Sequence, residues 1–281
     1  MPSHPLSRRT FLALSAMLPC ALSARAAKSI PVGLELYSVR DDLQRDAQGT
    51  VCAVAAMGYE CVEFYAPYYE WTESQTKDMR KLLDELGIRC YSTHNDAGFL
   101  APDKISRSRD RNLILGCEYV VQASSPAQTT LDGWKSVAES LNTAADELSA
   151  SGLKVGYHNH QTEFTPLHGV RPMEVLAKET KPSVMLQLDV GTCLEAGYDP
   201  VRWIRDNPGR IRSMHCKDWS PDPAKGYKVL FGEGAADWKN IFAAAEDSGG
   251  IEYYLIEQEG SRFPALETAR KCLEAYRTRT V

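Results

Sequence analysis

From Ile30 onward the chain alternates short apolar runs with longer segments in which apolar residues recur every three to four positions. The short runs are rich in β-branched and aromatic residues and predict strands over 31–37, 60–65, 89–94, 119–123, 154–160, 184–190, 211–217 and 253–258. The segments between them predict helices over 43–57, 74–86, 104–115, 131–150, 172–179, 200–206, 238–247 and 264–276. In one of these, Met79, Leu82, Leu83 and Leu86 share a face and Gly87 supplies the stop. Strands separated by helical crossovers imply a parallel sheet, and eight such units predict an α/β protein with a single (β/α)8 TIM barrel over 27–281. A doubly wound open sheet is the competing architecture. It would carry a glycine-rich turn after its first strand, where Leu34-Glu35-Leu36-Tyr37-Ser38 has none.

The start of the chain reads differently. Ser7-Arg8-Arg9-Thr10-Phe11-Leu12 precedes an apolar run over 13–22 and the small-residue pattern Ala24-Arg25-Ala26. This predicts a twin-arginine export signal over 1–26 and a periplasmic mature protein. Cys20 follows Pro19 rather than the small residue that a lipoprotein site requires. The apolar run is shorter than the roughly 20 residues that span a bilayer, so no membrane insertion is expected after cleavage. The twin-arginine route implies export of a folded protein, often with its cofactor loaded.

Composition narrows the partners. Of 281 residues, 43% are hydrophobic and 25% charged, with a formal net charge of -5. Removing 1–26 takes away three arginines and no acid, leaving 29 basic against 37 acidic residues, or -8. Without a basic surplus nucleic acid is not an expected partner, and small polar ligands are. The eight cysteines lack the spacing of a disulfide framework, and Cys61, Cys90 and Cys216 read as small core residues.

Chemistry in such a barrel sits at the C-terminal ends of the strands. Those ends read Glu35, Glu63, His94, His158 with His160, Asp189, His215 with Lys217, and Glu257 with Glu259. Strand interiors normally exclude charge, so ionisable residues from several strands point to a metal or an acid/base site. Period-two alternation in Tyr157-His158-Asn159-His160 sends both imidazoles to one side, and Glu163 follows closely enough to fold back. Leu188-Asp189-Val190-Gly191 ends an apolar run in a carboxylate and a glycine that permits an immediate turn. A mixed imidazole and carboxylate set suits a divalent ion such as Mn, Co, Zn or Fe. Blander roles stand beside these: Asp189 as a helix cap, His94 and His168 as hydrogen-bonded structural residues, Glu259 as a solvated group and Lys217 as the ion-pair partner of Asp218. His160 or Glu63 is a candidate base, and Lys217 a candidate oxyanion stabiliser. Glu35, His94, Tyr65 and Trp71 are candidate substrate contacts, with Tyr65, Tyr68, Tyr69 and Trp71 as an aromatic platform.

These motifs resemble the xylose-isomerase-like barrel superfamily of sugar phosphate isomerases/epimerases, which also contains inosose dehydratase and endonuclease IV. The resemblance runs from Val32-Gly33-Leu34-Glu35-Leu36-Tyr37-Ser38 to Ile256-Glu257-Gln258-Glu259, and Tyr157-His158-Asn159-His160 with Glu163-Phe164 is similar to exported members. It implies one metal at the barrel mouth, with Asp189, His215 and Glu257 matching the ligands of strands six to eight. Many members carry Glu where His158 stands, so either His158 or Glu163 fills the fifth-strand position. Many relatives have Asp-x-Gly-His where this chain has Asp189-Val190-Gly191-Thr192, and the missing imidazole argues against the multi-zinc endonuclease branch. The expected activity is isomerisation or epimerisation of an unphosphorylated sugar by proton abstraction next to a carbonyl, since the strand ends offer no arginine pair to grip phosphate. A lyase or dehydratase acting on a 3-keto-glycoside or an inosose is the alternative, and a non-catalytic periplasmic sugar-binding protein the second.

Overall fold

Eight parallel strands pair in chain order and close into a barrel, with β1 (Val32–Glu35) hydrogen-bonded to both β2 (Cys61–Phe64) and β8 (Tyr253–Ile256). Between them run β3 (Arg89–Asn95), β4 (Tyr119–Gln122), β5 (Lys154–His158), β6 (Met185–Asp189) and β7 (Ser213–Cys216). The crossover helices are α1 (Ala47–Met57), α2 (Glu73–Leu86), α3 (Ile105–Leu115), α4 (Leu131–Ser149), α5 (Pro172–Glu179), α6 (Pro200–Asp206), α7 (Trp238–Ala244) and α8 (Ala265–Arg279). The single (β/α)8 barrel expected from the hydrophobic pattern is therefore the architecture. This computed structural model describes residues 30–279, and the export leader expected over 1–26 lies outside the described residues. Among the described residues no helix is long and apolar enough to cross a membrane.

Local chemistry sets the element ends. α2 begins in a capping box, in which Thr72 Oγ1 accepts from the Gln75 N–H at 3.2 Å and Gln75 Oε1 accepts from the Thr72 N–H at 2.8 Å. It stops at Gly87, whose φ of 67° a side chain would strain. Met79 and Leu83 of its apolar face are buried, whereas Leu86 is exposed. The helix expected over 43–57 is two, because Asp46 accepts from the Gly49 N–H and caps a fresh start at α1 after the turn Arg40–Arg45. The helix expected over 238–247 leaves α geometry after Ala244 and finishes as a π turn, Ala245–Gly249. The strand expected to run to His160 ends at His158, because the Asn159 side chain leaves to accept from the Asp189 N–H at 3.0 Å. His160 instead precedes a one-turn helix, Gln161–Phe164.

The main core lies between barrel and helices, where Leu34, Val62, Leu186, Leu188, Met214 and Ile256 meet helix residues such as Val51, Leu83, Leu141 and Ile204. Each such fully buried side chain stabilises the fold by roughly 1.5–3 kcal/mol before entropy is counted. A separate apolar cluster, Cys61, Tyr119, Val121, Met185, Tyr253 and Leu255, fills the barrel interior. Gly33 stands opposite Cys61, where a Cβ would lie 2.4 Å from the Cys61 sulfur. Cys61, Cys90 and Cys216 are buried free thiols.

Candidate metal centre

A polar layer rests on the apolar plug of the barrel. Its centre is Glu63 at the end of β2, which is fully buried. Glu63 Oε1 accepts from the Ser92 hydroxyl and from Gln187 Nε2 at 3.1 Å, and Oε2 accepts from His215 Nε2 at 2.8 Å. His94 Nε2 lies 3.1 Å from the same Oε2 and 2.7 Å from Gln187 Oε1. Glu63, a candidate base in the sequence, thus has both carboxylate oxygens engaged by neighbouring side chains. Gln187, Ser92 and Ser213, which complete this layer, did not stand out in the sequence. Gln187 is two residues from Asp189 on β6, so the period-two rule that places Asp189 inward places Gln187 inward too.

Above this layer, β5 to β7 and the segment after β8 each contribute one side chain. His158, Asp189, His215 and Glu257 are all buried, and one ligand atom from each lies within 4.8 Å of the others. The rings of His158 and His215 stand 4.4 Å apart, and His158 Nε2 lies 3.9 Å from Asp189 Oδ2. Asp189 divides its carboxylate: Oδ1 accepts from the Thr192 N–H at 2.9 Å and caps the turn Val190–Glu195, while Oδ2 is buried with no hydrogen-bond partner. The cap and the inward-facing oxygen thus coexist. Gly191 takes no left-handed turn; it sits in that helical turn, where a Cβ would lie 3.0 Å from the Lys217 carbonyl. The Thr192 hydroxyl accepts from Asn159 Nδ2 at 2.9 Å, below the centre.

The donor set fits a divalent cation. A buried carboxylate oxygen that accepts no hydrogen bond costs on the order of 1–3 kcal/mol, which the Lys217 ammonium at 3.7 Å offsets only in part, and a cation among the four groups would remove the rest. Burial raises the pKa of Asp189 against the pull of Lys217. Burial and the neighbouring His215 and His94 push His158 well down, which leaves its imidazole neutral and able to donate a lone pair. Burial opposes the charge on Glu257, but Lys217 and His215 outweigh it and hold the carboxyl well below the usual range. A second overlapping group, Glu35, Glu63, His94 and His215, is as close together, yet Glu63 already accepts from its neighbours, and burial and the charge of Glu63 raise the pKa of Glu35 well above the ordinary value.

The other expected residues take several different places. Glu35, Tyr65, His94, His158, His160, Glu257 and Glu259 line one cavity of about 410 Å³ at the barrel mouth. His160 reaches it although it lies beyond the strand, its ring edge-on to His158 at 5.1 Å. Glu163 does not approach the centre: Tyr157 donates to its Oε1 at 2.7 Å and the His160 N–H to its Oε2 at 2.8 Å. Of the two fifth-strand candidates, His158 is the one grouped with Asp189, His215 and Glu257. Trp71 leaves the mouth as well, packing edge-on against Phe64 at 5.1 Å in a separate pocket, and Tyr68 and Tyr69 are buried. Lys217 is enclosed by three carboxylates, bonded to Glu259, 3.4 Å from Glu257 and 3.7 Å from Asp189. Asp218 is not its partner; it accepts from the Trp219, Gly232, Gly234 and Ala236 N–H groups and from Trp238 Nε1, which orders the loop after β7.

Comparison with known proteins agrees with this architecture. An inosose dehydratase of Clostridium tetani is 28% identical over 160 residues, which cover 50% of this chain and 53% of that protein. The chain thus spans about half the length of the curated relatives it matches. A sugar phosphate isomerase/epimerase of Parabacteroides distasonis superposes with a TM-score of 0.74 at 26% identity, covering 92% of this chain and 97% of that one. The IolI protein with a bound zinc atom shares the fold at 16% identity, with a TM-score of 0.66 over 89% of this chain and 98% of that one. The family model described as xylose isomerase-like TIM barrel matches residues 51–279, and the chain belongs to that family.

Proposed function

We propose that the protein is a divalent-metal-dependent enzyme that removes a proton next to the carbonyl of an unphosphorylated sugar or cyclitol and thereby isomerises or epimerises it. The observation that carries this reading is the convergence of His158, Asp189, His215 and Glu257 on one point, with Asp189 Oδ2 buried and accepting no hydrogen bond, its nearest ammonium, that of Lys217, standing off at 3.7 Å. A Mn, Co, Zn or Fe ion held by these four residues would supply Lewis acidity toward a carbonyl and a neighbouring hydroxyl, which makes the adjacent C–H acidic. His160 is the proton carrier in this scheme: it is half-buried, lines the cavity and lies against His158. Lys217 holds Asp189 and Glu257 in place rather than meeting an oxyanion, because its ammonium is already surrounded. The cavity is lined by Glu35, Asp96, Glu257 and Glu259 and by no lysine or arginine, which disfavours a phosphorylated substrate.

A dehydratase or lyase reading rests on Glu35. Its carboxyl lines the cavity, has an oxygen that accepts no hydrogen bond, and has its pKa raised well above the ordinary value by burial and by the charge of Glu63, which favours the proton-bearing form. Such a group is placed to protonate a departing hydroxyl, which elimination requires and isomerisation does not. The inosose dehydratase relatives are in line with this reading. We further propose export through the twin-arginine leader; replacing Arg8 and Arg9 together by Lys would then keep the protein out of the periplasm.

Incubating the metal-loaded protein with free ketoses, inososes and keto-glycosides in deuterated water tests these readings. Deuterium in a product of unchanged composition supports isomerisation or epimerisation, and loss of water or of an aglycone with a new conjugated absorbance supports elimination. Ligand binding without exchange would leave a sugar-binding protein, and activity confined to sugar phosphates would overturn the substrate assignment.

A further inference from the structure

Two of the buried thiols touch. Cys90 lies in β3, and Cys117 lies two residues before Tyr119, the partner of Ser92 in the β3–β4 ladder. Cys90, two residues before Ser92, and Cys117, just ahead of β4, come together there, and their sulfurs stand 3.4 Å apart. The backbone holds this register, since Glu118 N–H donates to the Tyr91 carbonyl at 2.8 Å and Cys117 N–H to the Asn112 carbonyl at 3.0 Å. A cavity of about 350 Å³ on the side of the barrel away from the mouth is lined by Cys90, Arg80, Leu115 and Gly116, so a small reagent has a route to Cys90.

We propose that Cys90 and Cys117 form an intramolecular disulfide when the folded protein meets a small-molecule disulfide. The Cys90 thiolate attacks one sulfur of the reagent, forms a mixed disulfide and releases the first reagent thiol. The Cys117 thiolate then attacks the Cys90 sulfur and releases the second. Two protein thiols are oxidised, one reagent disulfide is reduced to two thiols, and the two thiol protons end on the reagent. Adjacent strands of a sheet place Cα atoms about 5 Å apart, inside the range a disulfide bridges, and the sulfurs need to close only a short gap. Burial pushes the Cys117 thiol well up, against the pull of the nearby Arg80 guanidinium, so the reaction is slow at neutral pH and faster in mild alkali. The bond closes the loop that contains α3 and leaves the metal centre untouched.

The test uses the intact protein incubated with oxidised glutathione at mildly alkaline pH, quenched by alkylation and mapped by mass spectrometry, with a reduced control. The expected result is a chain lighter by two hydrogens, two fewer alkylated cysteines, a peptide linking Cys90 to Cys117, and a Tm raised by several degrees. Cys90→Ser and, as a second variant, Cys117→Ala are expected to fold, to bind metal as the parent does, and to show neither the link nor the rise. Full alkylation of both cysteines after oxidation, a stable glutathione adduct on either, or a link to a different cysteine would overturn the proposal.

Discussion

Glu63 Oε2 lies 2.8 Å from His215 Nε2, on the side of the ring away from Glu257, whose Oε2 is 2.8 Å from Nδ1. Glu63 therefore holds the ring plane of His215 and leaves Nδ1 facing the other candidate ligands, as a carboxylate behind a metal-bound imidazole does. Glu63→Gln is expected to weaken metal affinity by about 10–100-fold in a chelator competition. Unchanged affinity with abolished turnover would instead make Glu63 the base.

The same contact sets a pH dependence. Burial alone would lower His215, but hydrogen bonds to Glu257 and Glu63 and their charges carry its pKa up to about 10 in the metal-free chain. Metal capture needs the Nδ1 lone pair, so binding between pH 7 and 9 should expel a proton and strengthen as pH rises. Calorimetry in buffers of different ionisation enthalpy reads that proton directly, and equal enthalpies in all buffers would count against it.

Stability of the metal-free chain follows from the same shifts. Because the folded pKa of His215 is raised, its contribution is full below the ordinary value near 6.5 and is lost as pH rises through about 10. Burial opposes ionisation of Glu63, yet His94 and His215 hold it down to about 2, so its contribution is present above about 4.5 and disappears as pH falls toward 2. Thermal melts should show a plateau between these limits, and Glu63→Gln should flatten the acid limb.

Lys217 is buried among Asp189, Glu257 and Glu259. Lys217→Met strands those carboxylates without their cation and is expected to cost about 3–5 kcal/mol in the metal-free protein. Added metal should restore part of the loss, and a melt shift that metal does not reduce would show that the lysine serves packing alone.

Glu163→Gln separates the two readings of the fifth strand. Since Glu163 accepts only from Tyr157 and the His160 N–H, the variant should lose about 1 kcal/mol of stability and keep its metal. Loss of metal would return Glu163 to the ligand set.

Much of this architecture was legible in the sequence, because each strand carries a short apolar run and each crossover an amphipathic one. The ionisable strand ends of β5 to β7 and Glu257 after β8 were legible for the same reason: a parallel strand buried on both faces has little other use for charge. What alternation does not encode is where a ladder stops. Asn159 ended β5 by turning its amide to Asp189, and His160 reached the cavity from a loop rather than from the strand. The part of Glu63 was illegible because it depends on Ser92, Gln187 and His215, which come from three other strands. The surroundings of Trp71 and Lys217 were illegible because an aromatic or a lysine near a strand end looks the same in sequence whether it meets ligand or neighbouring side chains.

The most direct test of the central claim is elemental analysis of the purified protein beside Asp189→Ala and His215→Ala, with circular dichroism to establish that the fold survives. The account predicts close to one Mn, Co, Zn or Fe per parent chain, lost in both folded variants. A parent chain that takes up none of the four ions after reconstitution, or variants that retain the ion, would contradict it.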